Sequence, residues 1–256
     1  MPLKAKSFLV LAGDLPRLEQ CPAAGVFRGP PESEDRRNQM WWGIFVHKFL
    51  EIAVEQGREA GLKYVRQKFQ RALETCRRID VDFLISLPEV EVEVPWARDL
   101  TTGEAKRVAP FPFLPDPSRF TYGRADLTFK GERRTVVDFK CGDATETRTP
   151  AGHLQLLGLA ASAASDFGVD EVAGVICSVP SSGALVWRET VYSAEDIAEH
   201  AAREQRVHLA VMQARADYWE RGTVPEFVTG PACELCECKP ACPAHGHTLE
   251  VEKGKR

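Results

Sequence analysis

The sequence predicts an α/β fold in which a mixed central sheet is flanked by helices. Helical segments come first, strand-like runs follow, and a helical segment separates two of those strands from the others. The chain has 256 residues and is 44% hydrophobic, so it can bury a substantial core. We therefore expect one domain that covers residues 1–256.

The first third of the chain is expected to be mainly helical. Residues 7–21 suit a short turn and helix, and residues 25–38 are polar and contain Pro and Gly, which favours a loop. Residues 41–56 have a strong helical pattern, and a second, basic helix is predicted from there to about residue 78. Together these elements predict a helical segment, residues 22–80, within the domain.

Strand signals fill the middle of the chain, where apolar residues alternate with polar ones or run together between turn residues. The predicted strands are residues 89–96, 106–114, 122–129, 135–140, 172–179 and 184–192. Thr149 and Pro150 suit the N-cap and first turn of a helix that runs to about residue 165. A long helix is predicted over residues 194–220.

The third and fourth predicted strands form a hairpin that brings two acids together. If Phe129 pairs with Thr135, the antiparallel register makes Asp126 and Asp138 cross-strand neighbours. Simple alternation places Lys140 on the face of both acids. Like charges directly opposite on a sheet are destabilising, which indicates a divalent cation between the acids and a reacting oxygen near Lys140. The alternative is an amphipathic hairpin with a solvated polar face.

Two predicted helices add residues to this pair. Gly43, His47 and Glu51 recur every four residues and so form one stripe along a helix. Gln155 lies within the otherwise apolar segment 154–159 of a predicted helix, so it needs a partner if that helix packs on the sheet. Pointing to the acids, it would position a phosphate or an attacking water. A structural histidine and a surface glutamine are the alternatives.

In order and approximate spacing, these residues resemble a known family. Gly43-x-x-x-His47-x-x-x-Glu51, Gly123-Arg-Ala-Asp126, Asp138-Phe-Lys140 and Gln155 resemble the motifs of the PD-(D/E)XK nucleases of the RecB-like branch. The resemblance implies a restriction-endonuclease-like fold. It also implies an enzyme that hydrolyses DNA phosphodiesters with Mg or Mn, by exonuclease action on ends or single strands.

The resemblance implies a role for each of these residues. The metal ligands would be His47, Asp126, Asp138 and the backbone carbonyl of Phe139. Lys140 would assist the attacking water, and Gln155 would align the water or the phosphate. In the family this glutamine begins a Gln-x-x-x-Tyr motif, whereas here the tyrosine position is Leu159, a departure that concerns substrate positioning rather than metal binding.

The eight cysteines point to metal or cluster ligation rather than to disulfides, because the sequence shows no secretion signal. Four of them crowd together near the C-terminus: Cys233, Cys236, Cys238 and Cys242. A local zinc site built from these four, with His245 or His247, would not need the distant Cys21. Thiolates suit either zinc or an iron-sulfur cluster, so Cys21 is the deciding residue.

The cysteine spacing also resembles the subgroup that includes AddB and the CRISPR-adaptation exonucleases. There a cysteine followed by proline joins a C-terminal cysteine group, and Cys238 falls outside that pattern. The resemblance implies a 4Fe-4S cluster that joins the two ends of the chain through Cys21 and the segment 233–242. Its ligands would be Cys21, Cys233, Cys236 and Cys242.

The net charge of -4 argues against a generally basic coat, so contact with DNA would use local patches. Residues 58–78 carry seven basic and two acidic residues, which favours a phosphate-binding helix, although a solvated helix face is the alternative. The candidate DNA contacts are Arg66, Arg71 and Arg124. The resemblance also implies protein partners in recombination, repair or CRISPR adaptation.

No stretch has the apolar length of a membrane span, and the first seven residues lack a signal-peptide pattern. A cytoplasmic location without membrane contact is therefore expected. Two other functions compete with the nuclease. One is a catalytically weak nucleic-acid-binding or adaptor protein on a nuclease scaffold, suggested by Leu159. The other is a zinc-knobbed binding module without a catalytic metal.

Overall fold

The structure is a computed structural model that describes residues 3–5, 15–29, 34–109, 119–142, 150–249 and 251–252. Its strands are β1 (Leu3–Ala5), β2 (Phe27–Arg28), β3 (Glu91–Asp99), β4 (Ala105–Arg107), β5 (Phe120–Lys130), β6 (Arg134–Cys141), β7 (Val172–Val179), β8 (Val186–Tyr192) and β9 (Val251–Glu252). Its α-helices are α1 (Leu15–Gln20), α2 (Glu34–Gln56), α3 (Arg58–Lys68), α4 (Gln70–Arg78), α5 (Asp82–Ile85), α6 (Leu154–Phe167) and α7 (Ala194–Arg221). Short 3-10 helices cover Pro22–Gly25, Pro231–Leu235, Lys239–Ala241 and Pro243–His245.

The central sheet has six strands in the order β4-β3-β5-β6-β7-β8. Its strands pair antiparallel except for β6 and β7, which are parallel and are connected through α6. Parallel neighbours need such a crossover, because the chain must return to the same end of the sheet. A second sheet has the order β2-β1-β9. The predicted mixed sheet flanked by helices is confirmed.

The central sheet is covered on both faces. Leu127, Val137 and Phe139 pack with apolar residues of α2, α3 and α4 in one buried cluster. Val136 and Ile176 pack against α6 in another. Adjacent strand residues, such as Val136 and Val137, therefore serve opposite layers, as the pleat of a strand requires.

A third buried cluster brings the two ends of the chain together. Leu18 of α1 and Phe27 of β2 pack there with Val211 of α7 and with Ala241 near the C-terminus. The ring of Phe27 is stacked on that of Phe227, with centroids 5.6 Å apart and planes 12° apart. This cluster, which we call the terminal cluster, also contains Cys21 and Cys238.

Several element boundaries differ from the sequence prediction. The helix α2 begins at Glu34, inside the predicted loop. The single basic helix is two helices, α3 and α4, separated at Phe69, whose backbone is extended (φ -155°, ψ 80°). The Phe69 ring stacks on Phe45 at 4.9 Å, so a tertiary contact accompanies the break. The predicted strand 106–114 is β4 as far as Arg107, and residues 110–118 lie outside the described residues.

The N-cap of α6 is His153, whose side chain accepts a hydrogen bond from the N–H of Leu156. The predicted N-cap Thr149 lies outside the described residues, and the helix starts four residues beyond Pro150. By contrast, both ends of α7 have the capping residues that are usual for helices. Ser193 and Asp196 form a capping box at its start, and Gly222 ends it in the left-handed region (φ 68°).

Among the described residues, no helix combines the length and apolar character that a membrane span requires.

The longest described helix, α7, contributes buried polar side chains that face β3. Glu204 of α7 forms a buried ion pair with Arg98 of β3. Nearby, His200 is 3% exposed, and neither of its ring nitrogens has a hydrogen-bond partner within the described part of the chain.

Burial lowers the pKa of His200 to about 4, and the positive charges of Arg98 and Arg203 act in the same direction. In the unfolded chain this pKa lies near 6.5. Between these values the unfolded state takes up a proton that the folded state does not. The stabilisation that comes from neutral His200 is therefore present above pH 6.5 and is lost as the pH falls toward 4.

We expect His200→Leu to remove this acid sensitivity. On moving from pH 7 to pH 5, the wild type should lose about 2 kcal/mol more of its free energy of unfolding than the variant. Urea unfolding at both pH values measures the difference. The exposed His247 provides the control, since His247→Leu should follow the wild type. Equal losses in the wild type and in His200→Leu would contradict the account of the buried histidine.

Candidate active site

The hairpin of β5 and β6 has the predicted register, with Phe129 paired to Thr135. Pairing continues as far as Leu127 and Val137 and then stops. Asp126 and Asp138 are the next residues on the two strands, so they lie where the strands separate. Where two strands separate, backbone N–H and C=O groups are no longer paired between the strands, so they can bind side chains or a ligand.

Asp126 contacts both α2 and β6. Its Oδ1 lies 3.1 Å from Nδ1 of His47, and its Oδ2 accepts a hydrogen bond from the backbone N–H of Phe139 at 2.6 Å. The N–H and C=O of one strand residue point to the same side. The carbonyl of Phe139 therefore also points toward Asp126, beyond the last paired residues of the ladder.

Asp138 is held by a closed set of polar contacts. Its Oδ2 lies 2.7 Å from the Nζ of Lys140, and its Oδ1 accepts a hydrogen bond from the Nε2 of Gln155 at 3.2 Å. Lys140 in turn donates to Oε1 of Gln155 at 2.9 Å. The glutamine of α6 thus lies against the acid and the lysine of β6, which accounts for a polar side chain in an otherwise apolar helix.

Asp126 does not share the face of Asp138 and Lys140, contrary to the expectation from simple alternation. Ala125 packs in the α6 layer and Leu127 in the α2 layer, although uniform alternation would put both on one face. On the neighbouring β3, Val92 and Val94 change layers in the same way, around Glu93 with φ of 51°. Asp126 therefore turns toward α2, whereas Asp138 and Lys140 turn toward α6.

The charge of Asp126 affects the ionisation of Asp138 and of His47. Burial raises the pKa of Asp138, and the charge of Asp126 raises it further, while Lys140 and His47 oppose both effects. For His47, burial lowers the pKa, but the hydrogen bond and charge of Asp126, together with Cys141, leave it well above its usual value. A cation held at His47 would therefore compete with a proton.

A cleft of about 570 Å³ opens beside these residues. His47, Phe139 and Lys140 line it, whereas Asp138 is 3% exposed and lies below its surface. Of the predicted DNA contacts, Arg124 lines the cleft. Arg66 and Arg71 are exposed on α3 and α4 and do not line it.

Two residues of this cleft were missed by the sequence argument. Glu93 lies 2.7 Å from Arg124, and burial raises its pKa, with Asp126 and Glu51 adding to the effect. Nothing in the alternating Glu residues of this segment distinguishes Glu93 from its neighbours, because its position depends on the backbone turn in β3. Cys141 lines the cleft and interacts with His47, and no sequence pattern indicated it.

Leu159, in the position of the family tyrosine, is 1% exposed and belongs to the α6 layer. It lies one helical turn after Gln155, so the two residues share a side of α6. The leucine is therefore a core residue, and the contacts of Gln155 with Asp138 and Lys140 do not involve it.

The cysteines of the two chain ends line one small cavity. Its sulfur-bearing residues are Cys21, Cys233, Cys236, Cys238 and Cys242. Two donors approach the sulfurs: the N–H of Val228 lies 3.5 Å from Cys21 and the Nε2 of Gln20 lies 3.4 Å from Cys233. All eight cysteines are free thiols.

Cys238 differs from the other cysteines of this cavity. Its S–H donates to the carbonyl oxygen of Phe27 at 3.4 Å, and its pKa is raised by the hydrogen bond with Cys236 and by burial. The same hydrogen bond lowers the pKa of Cys236 to about 6. Cys236 thus favours the thiolate that metals bind, while Cys238 favours the thiol.

Neither the acid site nor the cysteine cavity is a preformed metal site. Within the described ranges, no three His, Cys, Asp or Glu side chains converge closely enough to hold an ion as they stand. The donors of the acid site are nevertheless of the type that Mg and Mn bind, namely carboxylates, a carbonyl and an imidazole.

Comparisons with known proteins identify the family but add little on the fold. One solved structure, of SSO0001, is 16% identical, with a TM-score of 0.40, and the match covers 94% of this chain and 88% of that one. Another, from Eubacterium rectale and provisionally named an exonuclease, is 11% identical with a TM-score of 0.48, and the match covers 88% of this chain and 79% of that one. No curated protein sequence matches the chain.

The family assignment comes from the sequence as a whole. A family model described as the PD-(D/E)XK nuclease superfamily matches residues 13–243, which include both acids, the lysine and the glutamine of the site. Because the match covers nearly all of the chain, this protein belongs to the PD-(D/E)XK nuclease superfamily.

Proposed function

We propose that this nuclease is a Mg- or Mn-dependent deoxyribonuclease that hydrolyses DNA phosphodiesters, acting as an exonuclease on ends or single strands. The observation that carries the proposal is the contact set of Asp138, Lys140 and Gln155 beside the Asp126–His47 pair. It joins two acids, a lysine and a polar helix residue beside one cleft, which His47 and Lys140 line. A structural ion pair alone does not require a glutamine that contacts both of its partners.

The donors fit a divalent cation held by His47, Asp126, Asp138 and the carbonyl of Phe139. Burial and the charge of Asp126 disfavour the ionised form of Asp138, so a nearby positive charge would favour it. When bound, such an ion stabilises charge on a phosphate and lowers the pKa of a bound water.

Lys140 and Gln155 supply the remaining functions. Lys140 lines the cleft, and its ammonium, held by Asp138 and Gln155, is positioned to orient the attacking water and to offset charge that develops on the phosphate. Gln155 fixes the lysine through its Oε1 and the acid through its Nε2, so it acts on the orientation of both. Arg124, on the cleft wall, and the exposed Arg66 and Arg71 would contact the DNA backbone.

For the cysteines, we propose a 4Fe-4S cluster held by Cys21, Cys233, Cys236 and Cys242. The shared cavity and the donors that approach the sulfurs of Cys21 and Cys233 support it, since hydrogen bonds to the ligand sulfurs are a feature of iron-sulfur sites. The contact of Cys238 with Phe27 supports its exclusion from the ligands. A zinc site of Cys233, Cys236, Cys238 and Cys242 remains the competing assignment.

Removing the charged groups of the site should abolish cleavage without unfolding the protein. We expect Asp138→Ala and Lys140→Ala to lose at least about a hundredfold in rate, on the order of 3 kcal/mol in barrier. Asp126→Ala should lose activity too, with some stability, because it removes the acceptor of the Phe139 N–H. Cleavage of end-labelled DNA with Mg or Mn, alongside circular dichroism, measures both effects.

The exposed Lys106 of β4 provides the matched control, since Lys106→Ala removes a lysine that does not line the cleft. This variant should cleave like the wild type. If Asp138→Ala also cleaves at nearly the wild-type rate, the proposed site is wrong.

His47→Ala should weaken metal binding more than it weakens the fold. The side chain of His47 is 31% exposed, so its removal leaves little buried space. We expect activity to fall at low metal concentration and to recover partly at high Mn, because Mn accepts sites with nitrogen ligands more readily than Mg does. Metal titrations of cleavage test this. An unfolded variant, or one with unchanged metal dependence, would assign His47 a structural role.

Cys21→Ser should strip the protein of iron and destabilise all of it. A cluster that includes Cys21 closes a loop of more than two hundred residues, and a clip of that length restricts the unfolded chain strongly. The control is Cys238→Ser, which should keep its iron and most of its stability. Iron and sulfide per chain and thermal unfolding are measured after anaerobic purification. Metal retained in Cys21→Ser but lost in Cys238→Ser would indicate a local zinc site.

A further inference from the structure

Three exposed apolar side chains lie within one short stretch of α2, and two of them line the cleft. Met40, Trp41 and Ile44 are 47%, 46% and 45% exposed, and we call them the apolar rim. Met40 and Ile44 line the same cleft as His47 and Lys140, so the rim is continuous with the proposed catalytic site. A nuclease needs only polar groups to hold phosphates, so the rim has no role in the chemistry described above.

Trp41 is backed by other rings. Its ring centroid lies 5.9 Å from that of Phe45, with planes 28° apart, and Phe45 stacks on Phe69 at 4.9 Å. Tyr64, which lines the cleft, lies 6.2 Å from Phe45. The indole is therefore supported from behind while nearly half of it stays in solvent. Such a fixed aromatic surface loses little conformational entropy when another flat ring stacks on it.

Basic side chains lie at both ends of the path from the cleft to Phe69. In the cleft are Lys48, Arg124 and Lys140, which pair with Glu51, Glu93 and Asp138 respectively. The row of stacked rings that starts at Trp41 ends at Phe69, the junction of α3 and α4, and the exposed residues around that junction include Arg66, Lys68 and Arg71. A ligand that follows this path would meet cations, then an apolar aromatic surface, then cations. An unpaired nucleotide strand combines phosphates with flat bases in this way.

We propose that the apolar rim seats unpaired bases of a DNA strand, with Trp41 as the stacking platform, so that single-stranded ends are favoured over blunt duplex. A duplex keeps its bases stacked on each other and offers the rim only its backbone. A single strand can splay its bases onto the indole. This inference specifies the substrate class of the proposed function. It rests on that function, because it assumes that the strand enters the cleft to be cleaved.

Binding of labelled strands to the full-length protein tests the proposal. Fluorescence anisotropy is measured in EDTA with oligothymidylate, with a strand of the same length that carries abasic positions, and with blunt duplex. Trp41→Ala should weaken binding of oligothymidylate on the order of tenfold, the effect of removing one base–aromatic stack. Binding of the duplex should stay within about twofold, because it uses phosphate contacts. Trp41→Phe should restore most of the affinity.

The abasic strand separates stacking from other effects of the substitution. Wild type and Trp41→Ala should bind it equally, since it lacks the partner that Trp41 recognises. With Mg or Mn present, Trp41→Ala should raise KM for single strands and leave kcat nearly unchanged, because the rim binds the strand without touching the reacting phosphate.

The exposed Trp219 of α7 provides the matched control. It is 40% exposed and its ring lies 5.2 Å from that of Tyr218, but it belongs to α7 and not to the apolar rim of α2, so Trp219→Ala should bind all three ligands like the wild type. Equal binding of oligothymidylate by the wild type and Trp41→Ala would overturn the inference and leave the rim to a protein partner. Equal weakening toward single strand and duplex would also overturn it.

These outcomes are distinguishable from failure of the proposed function. Binding in EDTA needs no cleavage, so a rim that depends on stacking would be seen even in a protein that cuts nothing. Conversely, cleavage that requires Asp138 but is insensitive to Trp41→Ala would support the nuclease and reject the base-stacking rim.

Discussion

Holding two carboxyl groups at the edge of a buried layer is the constraint on which the candidate site depends. Burial opposes ionisation of Asp138, and Asp126 opposes it further. The protein offsets this by placing different donors on each acid. Asp126 receives a backbone N–H and lies against His47, while Asp138 receives Lys140 and Gln155. Phe139 and Lys140 belong to β6, whereas His47 comes from α2 and Gln155 from α6, which explains why both helices must pack closely on the sheet here.

The change of face at Glu93 and Asp126 makes this division possible. Uniform alternation would have aimed both acids at α6, next to each other. Because β3 and β5 change layers at this point, one acid turns to each helix while both remain beside the cleft. The positive φ of Glu93 is unfavourable for a residue with a side chain, and such conformations are found most often at functional sites. Local backbone strain and local charge are thus concentrated in the same place.

Features that depend on residues close together in the sequence could be predicted, whereas features that depend on distant contacts could not. The bounds of β7 and the extent of α7 depend mainly on neighbours in the chain, and both agree closely with the prediction. The register of β5 and β6 follows from a short turn. By contrast, the break between α3 and α4 at Phe69 accompanies a contact with the distant Phe45. The position of Glu93 depends on the point at which β3 and its partner β5 both change layers. Gln155 was recognisable because a polar residue in an apolar helix signals a partner, whereas Cys141 carried no such signal.

The terminal cluster and the buried layer between α6 and the sheet are connected through the start of α6. Leu154 packs against both the α6 layer and the terminal cluster that contains Cys21. The next residue, Gln155, holds Asp138 and Lys140. Since protein interiors are close-packed and transmit displacement, the packing of the chain ends helps to fix the first turn of α6, and with it the glutamine. The cysteine cavity is therefore linked to the candidate active site by packing through Leu154.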